Sequence, residues 1–266
     1  MIYYNKIYIY NIKVLNKGNN MGYHYKDSFL TNINITLFFN KIEHKIYLEK
    51  FEKLKENWNS FSELKEYVHR DYQIKSNETS DEIHATFEPA TLVKNEYQQI
   101  SIENGLITID FNGKKYQSFE NDIIPIILEI KTILQIFDIK ECCFMGLKYI
   151  NEIIRNDLDL NNLVSKEFHH VYDKKNIIRS MIHEEYKENN SIVTINYGQF
   201  NNNYPNPNVE NYYIIDIQAH TDISYTIDEF EQIIHELHNL ISEYFENMIT
   251  KLFRQIMDDD YDTNDY

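Results

Sequence analysis

Six glycines punctuate the 266-residue chain, at Gly18, Gly22, Gly105, Gly113, Gly146 and Gly198. No set of them forms G-x-G-x-x-G, a Walker loop or G-x-S-x-G. That argues against a nucleotide held by a glycine-rich turn and against a nucleophile-elbow hydrolase. Cysteine is as scarce: Cys142 and Cys143 are the only two. Adjacent cysteines very rarely bridge each other, so there is no disulfide framework, and the profile is that of a reduced, cytoplasmic protein. No apolar run approaches the roughly 18 residues needed to cross a bilayer. The first residues lack the basic region and unbroken apolar core of a signal peptide. No membrane partner is expected.

Basic residues are also in deficit, 26 against 42 acidic ones, for a formal net charge of -16. A chain this acidic repels nucleic-acid backbones, so direct DNA or RNA binding is disfavoured, whereas a basic partner suits it. Part of the acidity is local. Asp258, Asp259, Asp260, Asp262 and Asp265 stand without a base among them, so 258–266 reads as a solvated, disordered tail.

Against these shortages stands a hydrophobic content of 42%, ample for a core. Its largest single expression is Thr226 to Met257. Thr226 and Glu229 form a T-x-x-E capping box, and apolar residues then recur at helical spacing from Phe230 to Met257. The stripe is wide, which predicts one long helix packed on a sheet. His235, Glu236 and His238 are read as its opposite, solvated face. The histidines stand at i, i+3 rather than the i, i+4 of the zinc-protease motif, and no third ligand is visible.

Ahead of that helix, Leu30 to Asn40 alternates as a strand, and Lys45 to Trp58 reads as a helix. A second capping box, Ser60 with Glu63, predicts another helix to about Gln73. Glu82 to Lys94 is a strand. Glu96 to Glu103 and Leu106 to Phe111 form a hairpin across Asn104-Gly105, with both turn positions expected at positive φ. Ser118 caps a helix to about Phe137, with Pro125 tolerated early in it. In the second half, Glu141 to Ile154, Lys175 to Lys187, Ser191 to Phe200 and Asn211 to His220 are strands, with Asn156 to Lys166 a short helix or turn.

The order is β-α-α-β-β-β-α followed by β-α-β-β-β-α. The fold class is therefore α+β: two antiparallel-sheet halves, 21–138 and 139–257, each covered by its last helix and able to share one sheet. Residues 1–20 read either as an extension ahead of a start at Met21 or as an extra edge strand.

Chemistry-bearing residues break the apolar pattern of two inner strands. In Phe144 to Ile153, Lys148 and Glu152 interrupt one face and Asn151 the other. In Tyr212 to His220, Asp216, Gln218 and His220 share a face. A carboxylate among Ile214, Ile215 and Ile217 must be paired, hydrogen-bonded or wet, and Lys148 and Arg179 are the candidate cations. Lys148, Asn151, Asp216, Gln218 and His220 are thus the candidate binding residues. The clusters His169-His170 with Asp173 and His183-Glu184-Glu185 have no metal-ligand spacing, so no catalytic residue, metal or cofactor is assigned.

The same strands carry a resemblance. Phe144 to Ile153 resembles the "GLRYIN" strand of an uncharacterised, sporadically distributed bacterial protein family of similar length. Ile214-Ile215-Asp216 resembles its aliphatic strand ending in Asp. Leu237-His238, Phe245-Glu246-Asn247 and Ile249-Thr250 resemble its C-terminal helix. Lys148 stands where that family has Arg, and Gln218 where it has a second Asp. The family brings no activity with it. Its patchy distribution implies a mobile-element, antiphage-defence or toxin-antitoxin context.

Together these readings predict a non-enzymatic cytoplasmic binding or regulatory protein with a protein partner. The alternatives are a metal-assisted hydrolase or nuclease using Asp216, His220, Glu152 and a histidine, and an acidic nucleic-acid mimic.

Overall fold

The computed structural model describes residues 25, 28–57, 63–77, 80–94, 96–154, 162–168, 180–199, 205–206 and 212–258. The proposed start at Met21, the 1–20 extension, Ser60, the His169-His170-Asp173 cluster, Arg179 and the tail beyond Asp258 lie outside the described residues.

The fold is mixed helix and strand around one large antiparallel sheet. Its strands are β1 (Leu30–Phe38), β2 (Glu63–Asn77), β3 (Ser80–Lys94), β4 (Gln98–Glu103), β5 (Leu106–Asn112), β7 (Phe144–Ile154), β8 (Ser180–Glu188), β9 (Ser191–Gln199) and β10 (Tyr212–Thr221). They lie in the order β2-β3-β4-β5-β1-β7-β10-β9-β8. The short strands β6 (Glu141–Cys142) and β11 (Tyr225–Thr226) pair apart from it. The strands of both expected halves therefore share one sheet, joined where β1 pairs with β7 from Phe38↔Phe144 to Leu30↔Asn151.

One face of this sheet is apolar because each strand alternates in register with its neighbours. Ile33, Ile35 and Leu37 of β1 are buried with Ile107 and Ile109 of β5, Leu147 and Ile153 of β7, Ile215 and Ile217 of β10, and Val193 and Ile195 of β9. The helices α1 (His44–Asn57), α2 (Ile124–Ile136), α3 (Phe230–Met248) and α4 (Lys251–Met257) supply the rest of the core. From α3 come Ile234, Leu237 and Ile241, and α2 is almost wholly apolar, burying Ile126, Ile127, Ile130, Ile133 and Leu134. Tyr47 of α1 stacks on Phe137, with ring centroids 5.4 Å apart.

Local signals acted mostly as expected. Ser118 Oγ accepts from Asn121 N at 3.2 Å, and Asp122 Oδ2 accepts from Ser118 N at 2.9 Å. A π turn over Phe119–Ile123 leads into α2, with Pro125 in its first turn. The Thr226–Glu229 capping box forms as read.

Four expectations need correction. The helix placed from Ser60 to Gln73 is instead β2, which pairs with β3 from Glu63↔Lys94 to Asn77↔Ser80. Pairing with a strand of equal length overrode a weak local helix signal. Beyond its base, where Thr91–Lys94 of β3 pairs with β4, this hairpin runs as a two-stranded ribbon.

The long C-terminal helix is two helices. Ile249 turns extended, at φ -88° and ψ 147°, and bridges to Val164. Thr250 then caps α4, its hydroxyl accepting from Phe253 N and donating to Asn162 O. A capping residue and a β-branched neighbour, offered a backbone partner at 162–165, favour the break.

At the Asn104-Gly105 turn only Gly105 has positive φ, at 96°. Asn104 is instead buried, and its carboxamide bonds both the N–H and the C=O of Ile42 at 3.0 Å. The fourth correction, at His238, belongs with the site below.

Candidate functional site

The other face of the sheet is polar, and no described helix packs on it. The register builds it row by row. Asp110 of β5, Asn34 of β1, Lys148 of β7, Gln218 of β10 and Thr194 of β9 stand side by side. The adjacent row runs Asn112, Asn32, Ile150, Asp216, Asn196 and His183. On the other side lie Thr108, Thr36, Gly146, His220 and Ile192. Four of the five candidate residues, Lys148, Asp216, Gln218 and His220, come together here.

Asp216 is the centre of the group. Its Oδ2 pairs with Lys148 Nζ at 2.8 Å, with the side chains 15% and 30% exposed. Lys148 is thus the cation that the strand pattern called for. Asp216 Oδ1 is buried and has no hydrogen-bond partner among the described residues. Such an acceptor has lost its water without replacement, a cost of roughly 1–3 kcal/mol for a polar group and more for a charged one.

His220 shows the same feature, since its Nδ1 is buried and without a partner among the described residues. Burial holds its pKa below the ordinary histidine value, opposed by Asp222 and Glu185 and aided by Lys187. The His220 ring stacks on Phe144 with centroids 5.1 Å apart, and Phe38, 41% exposed, meets Phe144 edge-on at 5.3 Å. Gly146 makes room for this ledge. A Cβ there would stand 2.9 Å from the Phe144 ring and 3.5 Å from Gln218 Nε2.

Asn151 is separate from the other candidates. It faces the helix-covered core, where it is buried and its Nδ2 reaches Ile215 O at 3.5 Å. His183 and Glu185 lie at the β8 edge of the polar face, exposed and 3.3 Å apart, with His183 Nδ1 at 2.7 Å from Asn196 Oδ1. Glu184 takes the other face and accepts from Tyr186. Glu152 raises the pKa of Tyr212 through a hydrogen bond, after burial as the larger cause. Among the described residues no three His, Cys, Asp or Glu side chains are grouped as metal ligands.

His238 departs from the expected solvated face of α3. Its Nδ1 is 2.9 Å from Tyr149 Oη, and its ring stacks on Phe119 at 4.0 Å and 7°. Burial, then the neighbouring His235, push its pKa down to about 4. The signal was present in the spacing, because Ile234, His238, Ile241 and Phe245 follow the i, i+4, i+7, i+11 line of one helix face. His235, by contrast, remains part-exposed, 3.8 Å from Glu120.

A cleft of about 500 Å³ opens elsewhere, between the start of β4 and the start of α2, lined by Tyr97, Gln98, Lys115, Gln117, Asn121 and Pro125 among others. None of the candidate residues lines it. The unsatisfied acceptor on the sheet is the better marker of a site than this open cleft, whose Lys115 is already placed 5.8 Å from the Tyr97 ring.

No protein-family model and no curated protein matches the chain. The resemblance to the GLRYIN-type family therefore rests on its three short stretches, and two of them, in β7 and β10, are the strands that carry the Lys148–Asp216 pair.

Proposed function

We propose that this is a non-enzymatic binding or regulatory protein, and that its ligand, a protein partner, lies across the polar face of the sheet over Asp216. One observation carries the reading: Asp216 holds Lys148 through one carboxylate oxygen and leaves the other buried and unsatisfied. A half-buried charge in that state is costly for a scaffold and useful for recognition, because a partner's donor recovers the lost hydrogen bond. Gln218 and His220, on the same side of the same strand, extend the row of groups that a partner meets.

The domain reading is part of the proposal. β1 and β7, the first long strands of the two expected halves, meet at the middle of the sheet, and each pairs on its other side with the last strand its half contributes to that sheet, β5 and β10. This order supports two related halves, 21–138 and 139–257. A cytoplasmic setting within a mobile-element or defence locus rests on composition and on the family resemblance.

The test uses wild type, Asp216→Asn and, as a control on the helix face, Glu236→Gln as baits in the same extract. A cooperative unfolding transition, with its midpoint well above the working temperature, establishes that all three are folded. A protein held by wild type and Glu236→Gln but lost from Asp216→Asn supports the reading. Equal retention by all three overturns it.

A further inference from the structure

Asp216, Gln218 and His220 occupy alternate positions of β10, so their side chains repeat along the polar face at about 6.6–7 Å. An extended polypeptide laid along the strand repeats at the same interval. Side chains on one of its faces can therefore address all three residues in turn.

The chemistry at each position narrows the occupant. Asp216 Oδ1 requires a donor, and because it is closed to water the side chains covering it must give way as the donor enters. The charge around it is unbalanced. Asp110, Glu152, Glu185 and Asp216 share the face with Lys148 and Lys187, and with Lys94 at the far β3 end of the Asp110 row; Lys187 is itself paired with Asp222. Glu152 stands opposite Ile214, diagonally from Asp216, and adds a second carboxylate there. The chain as a whole carries -16. This field attracts a cationic segment and repels an acidic one or a phosphate backbone.

Beside the carboxylates lies the aromatic ledge of His220, Phe144 and the exposed Phe38. The residue of the segment that meets His220, two intervals along from the one at Asp216, can lay a planar guanidinium on this surface. An ammonium is compact and strongly hydrated, and suits the place less well.

We infer that the polar face takes an extended, arginine-bearing polypeptide segment running along β10, with a guanidinium N–H donating to Asp216 Oδ1. This rests on the reading of the polar face as the binding site. It adds the class and the direction of the partner.

The probe is a short fluorescent peptide of alternating arginine and serine, with counterparts carrying glutamine or glutamate in place of arginine. Anisotropy titrations at moderate salt use the full chain as wild type, Asp216→Asn, Gln218→Lys and Glu236→Gln. Gln218→Lys sets a second ammonium opposite Lys148 without touching Asp216, so it keeps the test intact if Asp216→Asn does not fold. The arginine peptide should bind wild type and Glu236→Gln alike, and about tenfold or more weakly to Asp216→Asn and Gln218→Lys. The glutamate peptide should not bind. Equal binding of the arginine peptide to all four proteins would reduce the effect to general attraction by an acidic chain and overturn the inference. No binding would also overturn it. Asp216-dependent binding of the glutamine or glutamate peptide would overturn the arginine assignment while leaving the polar face as a site. Failure of the face itself shows separately, as a natural partner retained by Asp216→Asn.

Discussion

Lys148 Nζ reaches Asp216 Oδ2 at 2.8 Å along a diagonal of the ladder, since Asp216 stands opposite Ile150 and Lys148 opposite Gln218. The pair therefore spans two rungs of β7 and β10, the first and second strands from the central β1. It is neither a surface pair nor a sealed one.

Its stability contribution should match that position. Exposed pairs contribute about 0–1 kcal/mol, and breaking a fully buried one costs about 3–5. With Lys148 able to turn to water when released, Asp216→Ala should cost about 1–2 kcal/mol in urea unfolding. A double-mutant cycle with Lys148→Met should return a coupling of about 1 kcal/mol. A loss above about 3 kcal/mol would make the pair a sealed part of the scaffold.

His238 should make stability depend on pH. Its pKa falls from 6.5 to about 4 on folding, so the folded state binds its proton less readily than the unfolded chain does. The contribution is complete above the unfolded value and is lost as pH falls from about 6.5 towards about 4. Between pH 7 and pH 5 wild type should lose about 1–2 kcal/mol more than His238→Gln, after allowance for its partial access to water. Urea unfolding at the two pH values measures the difference. Parallel losses in the two proteins would show that His238 titrates as freely in the fold as outside it.

Thr250 should matter more than an ordinary helix residue. As the cap of α4 and a donor to Asn162 O, it satisfies the new helix start and ties it to the 162–165 segment. Thr250→Ala should cost about 1–2 kcal/mol in the same assay, and Thr250→Ser less than half of that. Equal costs would point to the lost methyl group rather than the hydroxyl.

Much of this was legible in particular residues. The alternation of Ile33, Ile35 and Leu37 specified both a strand and its buried face, and the interruptions at Lys148 and Asp216 marked the polar one. What stayed hidden depended on partners distant in sequence. Leu64 and Val68 fit a helix spacing and a strand spacing equally, and pairing with Ser80–Lys94 decided between them. The apolar stripe runs without a gap through Ile249 and Thr250, so the break there became visible only with Val164 beside it. His238 lies on the line of Ile234, Ile241 and Phe245, at the margin of the stripe and not on the opposite face where its polar neighbours His235 and Glu236 point. Asn151 stands three residues from Lys148, and that odd offset in a strand puts it on the opposite, core-facing side.

The central claim is that the polar face over Asp216 meets the partner, and a position-specific photo-crosslink tests it most directly. Benzoylphenylalanine at Thr194, which neighbours Gln218 on that face, is compared with the same group at Glu236 on the exposed side of α3. Both proteins are irradiated in extract and the adducts are identified. The account predicts an adduct from position 194 that disappears when Asp216→Asn is added, and none of the same mass from position 236. An adduct from 236 alone, or one from 194 that persists in the Asp216→Asn background, would contradict it.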